Sequence, residues 1–352
     1  MKPNPVKIIQ VAATYIGTVV GAGFASGQGI LQFFTGYGAV GIIGIWMCTL
    51  LFIWLGSKMM LLAHRIKAYS YRELNTYLFG QFFGRVANGF TLIVLLGSSA
   101  VMLAGTGSIV EEQLGYPYQW GIIATVVLSF VVIRRGMAGI LLVNSLVMPA
   151  MLIFLLIVAG SLISAGDFTP GPAAMYTTAG NGWLLSAFSY AALNMALVQA
   201  VLVPLGSEIN DEKVLRWGGL WGGIGVGIML MIVHFALLAK MPLISQYAIP
   251  MGEVIRNFGP WIHILFLIVI YGEIFTTLVG NVFGLIRQLS NTNTFRRLQP
   301  IPGNWLVLFI LLLCLIISQF GFSSLMVHLY TYFGYLGLIL LVLLVFRRYP
   351  GH

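Results

Sequence analysis

Glu273, Thr276, Thr277, Gly280, Asn281 and Gly284 stand at offsets 0, 3, 4, 7, 8 and 11 in YGEIFTTLVGNVFGL, residues 271–285. Such offsets share one face of a helix, so a carboxylate, two hydroxyls and an amide line one stripe. Glu273 is the one carboxylate of the chain well inside an apolar run. An ionised group in hydrocarbon is costly unless it is paired, solvated or neutral. One reading is a protonated Glu hydrogen-bonded to another helix; the other is a group that binds a cation or a proton. For Thr276 and Thr277 alone, back-bonding to their own helix is the default. Their position beside Glu273 favours ion chemistry.

A second constellation is backbone rather than side chain. GTVVGAGFASGQG, residues 17–29, concentrates five glycines and Ser26 where an apolar span should have its middle. Each Gly costs a helix interior roughly 1 kcal/mol relative to Ala. Gly17 and Gly21 have the GxxxG spacing that lets another helix approach closely. The cluster is denser than packing needs, so the helix is expected to unwind and turn freed N–H and C=O groups into a cavity. Gly21, Gly23 and Gly27 come near a dinucleotide fingerprint, but no strand precedes them and no acidic residue follows about 20 positions later.

WLLSAFSYAALNMALVQAVLVPLGSEI adds Ser189, Tyr190, Asn194, Gln199 and Pro204 to another apolar segment. Asn194 needs a partner, whether a neighbouring helix or a ligand, and Pro204 removes one helix hydrogen bond. Ser98, Ser99, Thr106 and Ser108 make a further segment small and polar, fit to line a cavity or to pack tightly. His234, His263 and His328 each stand alone, with no metal-ligand spacing. No nucleophile with its base and no metal constellation stands out, which argues against an enzyme.

The elements that carry these residues are membrane spans. Of 352 residues 59% are hydrophobic and 8% charged, with mean hydropathy +0.96, and the 42 glycines exceed the ordinary share. Apolar runs long enough to span lie near 7–35, 38–62, 86–110, 117–133, 138–164, 182–206, 214–239, 258–287, 304–320 and 323–346. With the N-terminus in the cytoplasm, ten alternating spans put all of the 18 Lys and Arg residues inside except Lys240 and Arg256. This partition predicts ten spans with both termini cytoplasmic. It also explains the net charge of +9 without a nucleic-acid partner. Cys48 and Cys314 sit in apolar runs and read as inert core thiols. MKPNPVKIIQ lacks a small-residue cleavage site and reads as the start of a retained span. Of the long outer loops, 166–180 reads as irregular. The loop 241–259 can start a short helix at Pro250 and lie across the outer mouth as a lid, or serve as a plain interfacial connector.

One membrane domain, 1–352, is therefore expected, divided into five-span halves of about 7–165 and 182–346. Five is odd, so the second half enters from the opposite side, and the first and sixth spans lead two inverted halves. VVGAGFASGQ, the ten-span plan and the chain length resemble the YkvI-like family of bacterial membrane proteins. That family looks like a branch of the amino acid–polyamine–organocation superfamily, with the LeuT fold.

The resemblance implies an all-α membrane protein with a 5+5 inverted repeat and broken helices 1 and 6, in the bacterial cytoplasmic membrane. It implies a secondary active transporter of an amino acid or similar small zwitterion or amine, working by alternating access; a solute receptor of the same fold is the alternative. Sodium-coupled members hold one ion between a G-x-x-V-G-x-G segment and an A-x-x-T-[ST] segment. By that pattern the carbonyls of Gly17 and Val20 and the hydroxyls of Thr276 and Thr277 ligate a bound Na+, a hard cation suited to oxygen. Glu273 replaces the pattern's small residue and either strengthens sodium binding or substitutes a coupling proton. The resemblance also implies a solute at the helix breaks, on Gly21 and the N–H groups of Ala22 and Gly23. Phe24, Phe188, Ser189, Tyr190 and Asn194 would shape the rest. No cofactor is expected beyond the ion, and the lipid bilayer is the other partner; oligomeric state stays open.

Overall fold

Asn4 starts the first helix of the computed structural model. Its Oδ1 accepts the Val6 N–H at 3.0 Å, and Pro5 fills a position whose N–H would have no helical partner. This helix, α1 (Pro5–Val19), ends because Val20 adopts an extended conformation at φ −74°, ψ 95°. A single turn, α2 (Ala22–Ala25), follows, then α3 (Gln28–Phe33). Between them Gly27 has φ +80°, and a Cβ there would stand 2.7 Å from Met251 Cγ, so glycine is required twice over. The first span thus breaks where its glycines cluster, and it breaks twice.

The remaining helices are α4 (Val40–Ile66), α5 (Tyr71–Gln113), α6 (Tyr118–Arg134), α7 (Met137–Ala165), α8 (Trp183–Glu208), α9 (Glu212–Leu238), α10 (Pro250–Arg256), α11 (Pro260–Ser290), α12 (Gly303–Ser318) and α13 (Phe322–Phe346). The structure describes residues 3–134, 137–165, 182–290 and 303–346, among which there is no strand. The loop 166–180 and the basic residues Lys2, Arg135, Arg296, Arg297, Arg347 and Arg348 lie outside the described residues. Among those described, α4, α5, α8, α9, α11 and α13 are long and apolar enough to cross a membrane, and α6, Pro149–Ser164 and Asn304–Ser318 are shorter apolar helices. With the broken first span these make ten spans.

Two expectations need correcting. The sixth span is not broken: α8 runs unbroken from Trp183 to Glu208. Its proline, Pro204, sits in the closing turns, where losing one hydrogen bond does not interrupt the rod. Its one glycine, Gly206, packs on the Met60 backbone instead of opening a turn. The third span begins earlier than residue 86. Its helix starts at Tyr71 and kinks at Gly80 (φ 77°, ψ −179°), because the polar stretch YRELNTYLFG is helical without being apolar.

Helix pairings carry the inverted repeat. α1 packs on α9 and, correspondingly, α8 packs on α4; α5 packs on α11 across the middle, and α6 on α12. Lipid tails are as apolar as the helices, so close packing of small residues does the holding. Gly334 and Gly337 of α13 lie on α8, where a Cβ would stand 2.9 Å from the carbonyl oxygens of Ser189 and Ala192. An apolar groove of about 490 Å3, open at the surface, lies among α1, α7 and α9, lined by residues that include Ala12, Ala13, Ile16, Pro149, Leu152 and Trp221.

Among the described residues three π turns interrupt otherwise regular helices, at Phe52–Gly56, Ile109–Gln113 and Met326–Tyr330. Wide turns of this kind loosen the ladder and offer carbonyls to outside donors. The first span uses two of them: Tyr15 OH donates to Phe52 O at 2.8 Å, and Gln32 Nε2 donates to Val327 O at 3.3 Å.

Candidate functional site

The break in the first span faces the polar stripe of α11. A Cβ on Gly21 would lie 3.8 Å from both Oγ1 and Cγ2 of Thr277. Phe24 N–H and Ala25 N–H both donate to the Gly21 carbonyl, at 3.0 and 2.9 Å, and not to that of Val20. The terminal carbonyls of α1 have no intrahelical donor. The break thus brings backbone to the Thr277 side chain.

The hydroxyls of Thr276 and Thr277 are oriented by their own helix. Thr276 Oγ1 and Thr277 Oγ1 each donate to the Glu273 carbonyl, at 3.1 and 2.9 Å. Their protons point back along the helix, and the oxygen lone pairs stay free to accept a cation. Glu273 itself is 2% exposed, and its Oε1 has no hydrogen-bond partner among the described residues. A buried carboxyl oxygen left unpaired demands an explanation, and a bound cation or proton supplies one. Of the residues expected to hold Na+, Thr277 lies beside the break at Gly21, and Thr276 stands next to it on α11.

One turn further along α11, Asn281 Nδ2 donates to Ser98 Oγ of α5 at 3.2 Å. Ser98 Oγ is in turn 3.3 Å from Tyr330 OH of α13. Tyr330 reaches back to the break, since a Cβ on Gly23 would lie 3.5 Å from its Cε2 and 2.8 Å from Met326 Cε. Three spans thereby join a neutral polar node beside Gly23. Tyr330 was invisible in the sequence as a site residue, because its place depends on a π turn and on a contact between distant spans.

The other residues expected around a solute are distributed differently. Ala22 lies in α2, and Phe24 is buried. Tyr190 packs on Phe33, Phe34 and Phe52, with ring centroids 5.4, 4.9 and 6.3 Å away. Asn194 Nδ2 donates to the Tyr190 carbonyl at 2.9 Å, within its own helix. Ser189 is buried against Gly334, and Phe188 is half-buried. The structure therefore brings Gly21 to Thr277 and Gly23 to Tyr330, while Tyr190 belongs to an aromatic cluster joining the first, second and sixth spans. Of the lone histidines, His234 Nδ1 is 3.0 Å from Thr35 Oγ1, and His263 Nε2 is 2.9 Å from Gln113 Oε1.

No protein-family model matches the chain. It is 40% identical over 343 residues, 97% of its length and 96% of the relative's, to the uncharacterized membrane protein YkvI of Bacillus subtilis (strain 168). To the uncharacterized protein YyaD of the same organism it is 26% identical over 334 residues, 94% of each chain. Among solved structures, the inward-facing conformation of Mhp1 aligns with a TM-score of 0.66 at 14% identity, covering 96% of this chain and 75% of that one. A Na+-coupled sialic acid symporter in its substrate-bound, outward-open state aligns with a TM-score of 0.60 at 13% identity, covering 95% and 76%. These likenesses bear out the LeuT-type, all-α membrane fold read from the sequence. With 40% identity along nearly its whole length, the chain belongs to the YkvI family of membrane proteins.

Proposed function

We propose that this protein is a secondary active transporter that carries a small solute across the bacterial cytoplasmic membrane, coupled to Na+ or H+. The observation that carries the reading is the double break of the first span, with Gly21 beside Thr277 and an unpaired, buried Glu273 oxygen on the same α11 face. Carbonyls of Gly17 and Val20 and hydroxyls of Thr276 and Thr277 hold the ion. Glu273 strengthens that site or carries a proton in its stead. The solute lies on Gly21, Ala22, Gly23 and Phe24, with the Ser98–Asn281–Tyr330 node within reach. Phe188, Ser189, Tyr190 and Asn194 of the sixth span back the break through packing, Tyr190 by its contacts with Phe33 and Phe34.

The solute class is an amino acid or a similar small zwitterion, because backbone N–H groups at a helix start favour a carboxylate. The structural neighbours support coupled transport of small polar solutes: one is Na+-coupled and takes sialic acid, another is a nucleobase-cation-symport-1 transporter with bromovinylhydantoin bound. Halves of about 7–165 and 182–346 rock against each other.

Two experiments test this. Purified protein is screened by thermal shift against amino acids and amines, with and without sodium. A true ligand at about 100 times its Kd stabilises by roughly 2.7 kcal/mol, and proteoliposomes then accumulate it under a sodium or a proton gradient. Binding without accumulation under either gradient would overturn transport and leave a receptor. For orientation, a cysteine introduced in 241–257 is expected to react with an impermeant maleimide from outside intact cells, and one in 291–298 only from the inside. Reversed labelling at either position rejects both-termini-inside.

A further inference from the structure

Two neighbouring side chains of the Ile109–Gln113 π turn take hold of the segment that carries α10. Both carboxylate oxygens of Glu112 accept the Ala248 N–H, at 2.8 and 3.0 Å, and Oε2 also accepts the Ile249 N–H at 3.1 Å. Next to it, Gln113 Oε1 meets His263 Nε2 at 2.9 Å, and a Cβ on Gly252 would stand 2.9 Å from the Gln113 carboxamide carbon. Glu112 therefore grips the chain just before α10, and Gln113 grips α10 and the helix that follows it. Adjacent in the π turn, the two side chains meet the same segment at separate places.

The segment so held closes the first-span break. Met251 N–H donates to the Ser26 carbonyl at 2.9 Å, and Met251 Cγ occupies the space beside Gly27 that any side chain would need. Ser26 is 0% exposed beneath it. The chain of contact runs from Glu112 to the 248–251 backbone to the break, with no other span in between.

We propose that Glu112 is the catch of the gate over the first-span break: its carboxylate holds the 241–259 segment down, and the break is reached from that side only when these N–H bonds part. Glu112 is a positioning residue, since it acts on the break through Met251. The bonds are charge-assisted, and an acceptor that keeps one carbonyl oxygen without the charge should hold less firmly. The inference rests on the orientation proposed above only for which membrane face is probed.

The test uses the full chain with Cys48 and Cys314 replaced by alanine and Ser26→Cys as the reporter. An impermeant maleimide is applied to intact cells and, separately, to inverted vesicles. Glu112→Ala is expected to speed labelling at position 26 by about tenfold or more, the change expected from losing a charged hydrogen-bond acceptor. Glu112→Gln should fall between it and the parent, and Glu111→Ala should match the parent. An acceleration seen only in inverted vesicles supports the catch while overturning the orientation. Unchanged labelling in Glu112→Ala and Glu112→Gln, on both faces and with the parent's melting temperature, overturns the catch. If Glu112→Ala does not fold, Glu112→Gln alone decides by the same criterion.

Discussion

Thr276→Val and Thr277→Val are each expected to raise the sodium concentration for half-maximal uptake into proteoliposomes by about tenfold or more, the effect of removing one charged-group ligand. Neither change should unfold the protein. Among the described residues each hydroxyl bonds only to the Glu273 carbonyl of its own helix, and bonds of that kind add little stability. Valine keeps the shape and deletes the oxygen that a cation would meet. Glu273→Gln separates the two coupling ions. With sodium as the ion it weakens sodium binding and leaves sodium-driven uptake in place. With a proton it mimics the protonated state, abolishes uptake driven by a pH gradient, and leaves solute exchange intact. The four positions that match the sodium pattern favour the first outcome. If all three variants behave like the parent under both gradients, α11 does not carry the coupling ion.

The break itself should tolerate substitution unevenly. At Gly21 a methyl group meets Thr277 at an ordinary 3.8 Å, so Gly21→Ala is expected to bind solute nearly normally. At Gly23 the same methyl meets Met326 Cε at 2.8 Å, which obliges a flexible side chain to move. Gly23→Leu goes further and drives a branched group toward Tyr330 and the Ser98–Asn281 pair. We expect it to weaken solute binding by about 100-fold or more, since backbone must approach the ligand there and the polar groups lose their partner. Gly21→Leu, directed at Thr277, should act on solute and sodium together. Isothermal titration on protein that elutes as a single species measures both. Met326→Ala in the Gly23→Ala background should restore binding if crowding is the cause. Parent-like affinity in Gly23→Leu and Gly21→Leu would make the glycines a packing face and nothing more.

What could be read from the sequence was what is encoded locally. The glycine density of 17–29 announced a broken helix because Gly is costly inside one, and the 273–284 stripe announced itself through helical period. Partition of Lys and Arg counted the spans, since a wrong count would have scattered them. Other features depend on which distant backbone comes close. Nothing in LMVHLYTYFG marks Tyr330 as the residue that reaches Ser98, because the π turn that aims it has no local signature. Nothing near Glu112 in the sequence marks it as the acceptor of the 248–249 backbone N–H groups, which come from a segment about 136 residues away. The sixth span misled for a related reason. Polar residues and a proline mark a break only where the freed groups find no partner, and Tyr190, Asn194 and Gly206 are taken up by packing and by their own helix.

Tyr15 and Gln32 stand on either side of the interrupted stretch, and each is fastened to a different partner, Tyr15 to the π turn of α4 and Gln32 to that of α13. The first span is therefore a rod clamped at two points with a joint between the clamps. When the helices that hold the clamps turn relative to one another, neither clamped piece follows both, and the mismatch is taken up as torsion at Val20–Gly21 and Ser26–Gly27. Those are the bonds that border the site. A solute seated on Gly21 to Phe24 would stiffen the joint and so transmit the turning of one clamp to the other, whereas an unloaded joint would let the two slip. Under the proposed transport, coupling of cargo to movement would follow from where the clamps are fastened.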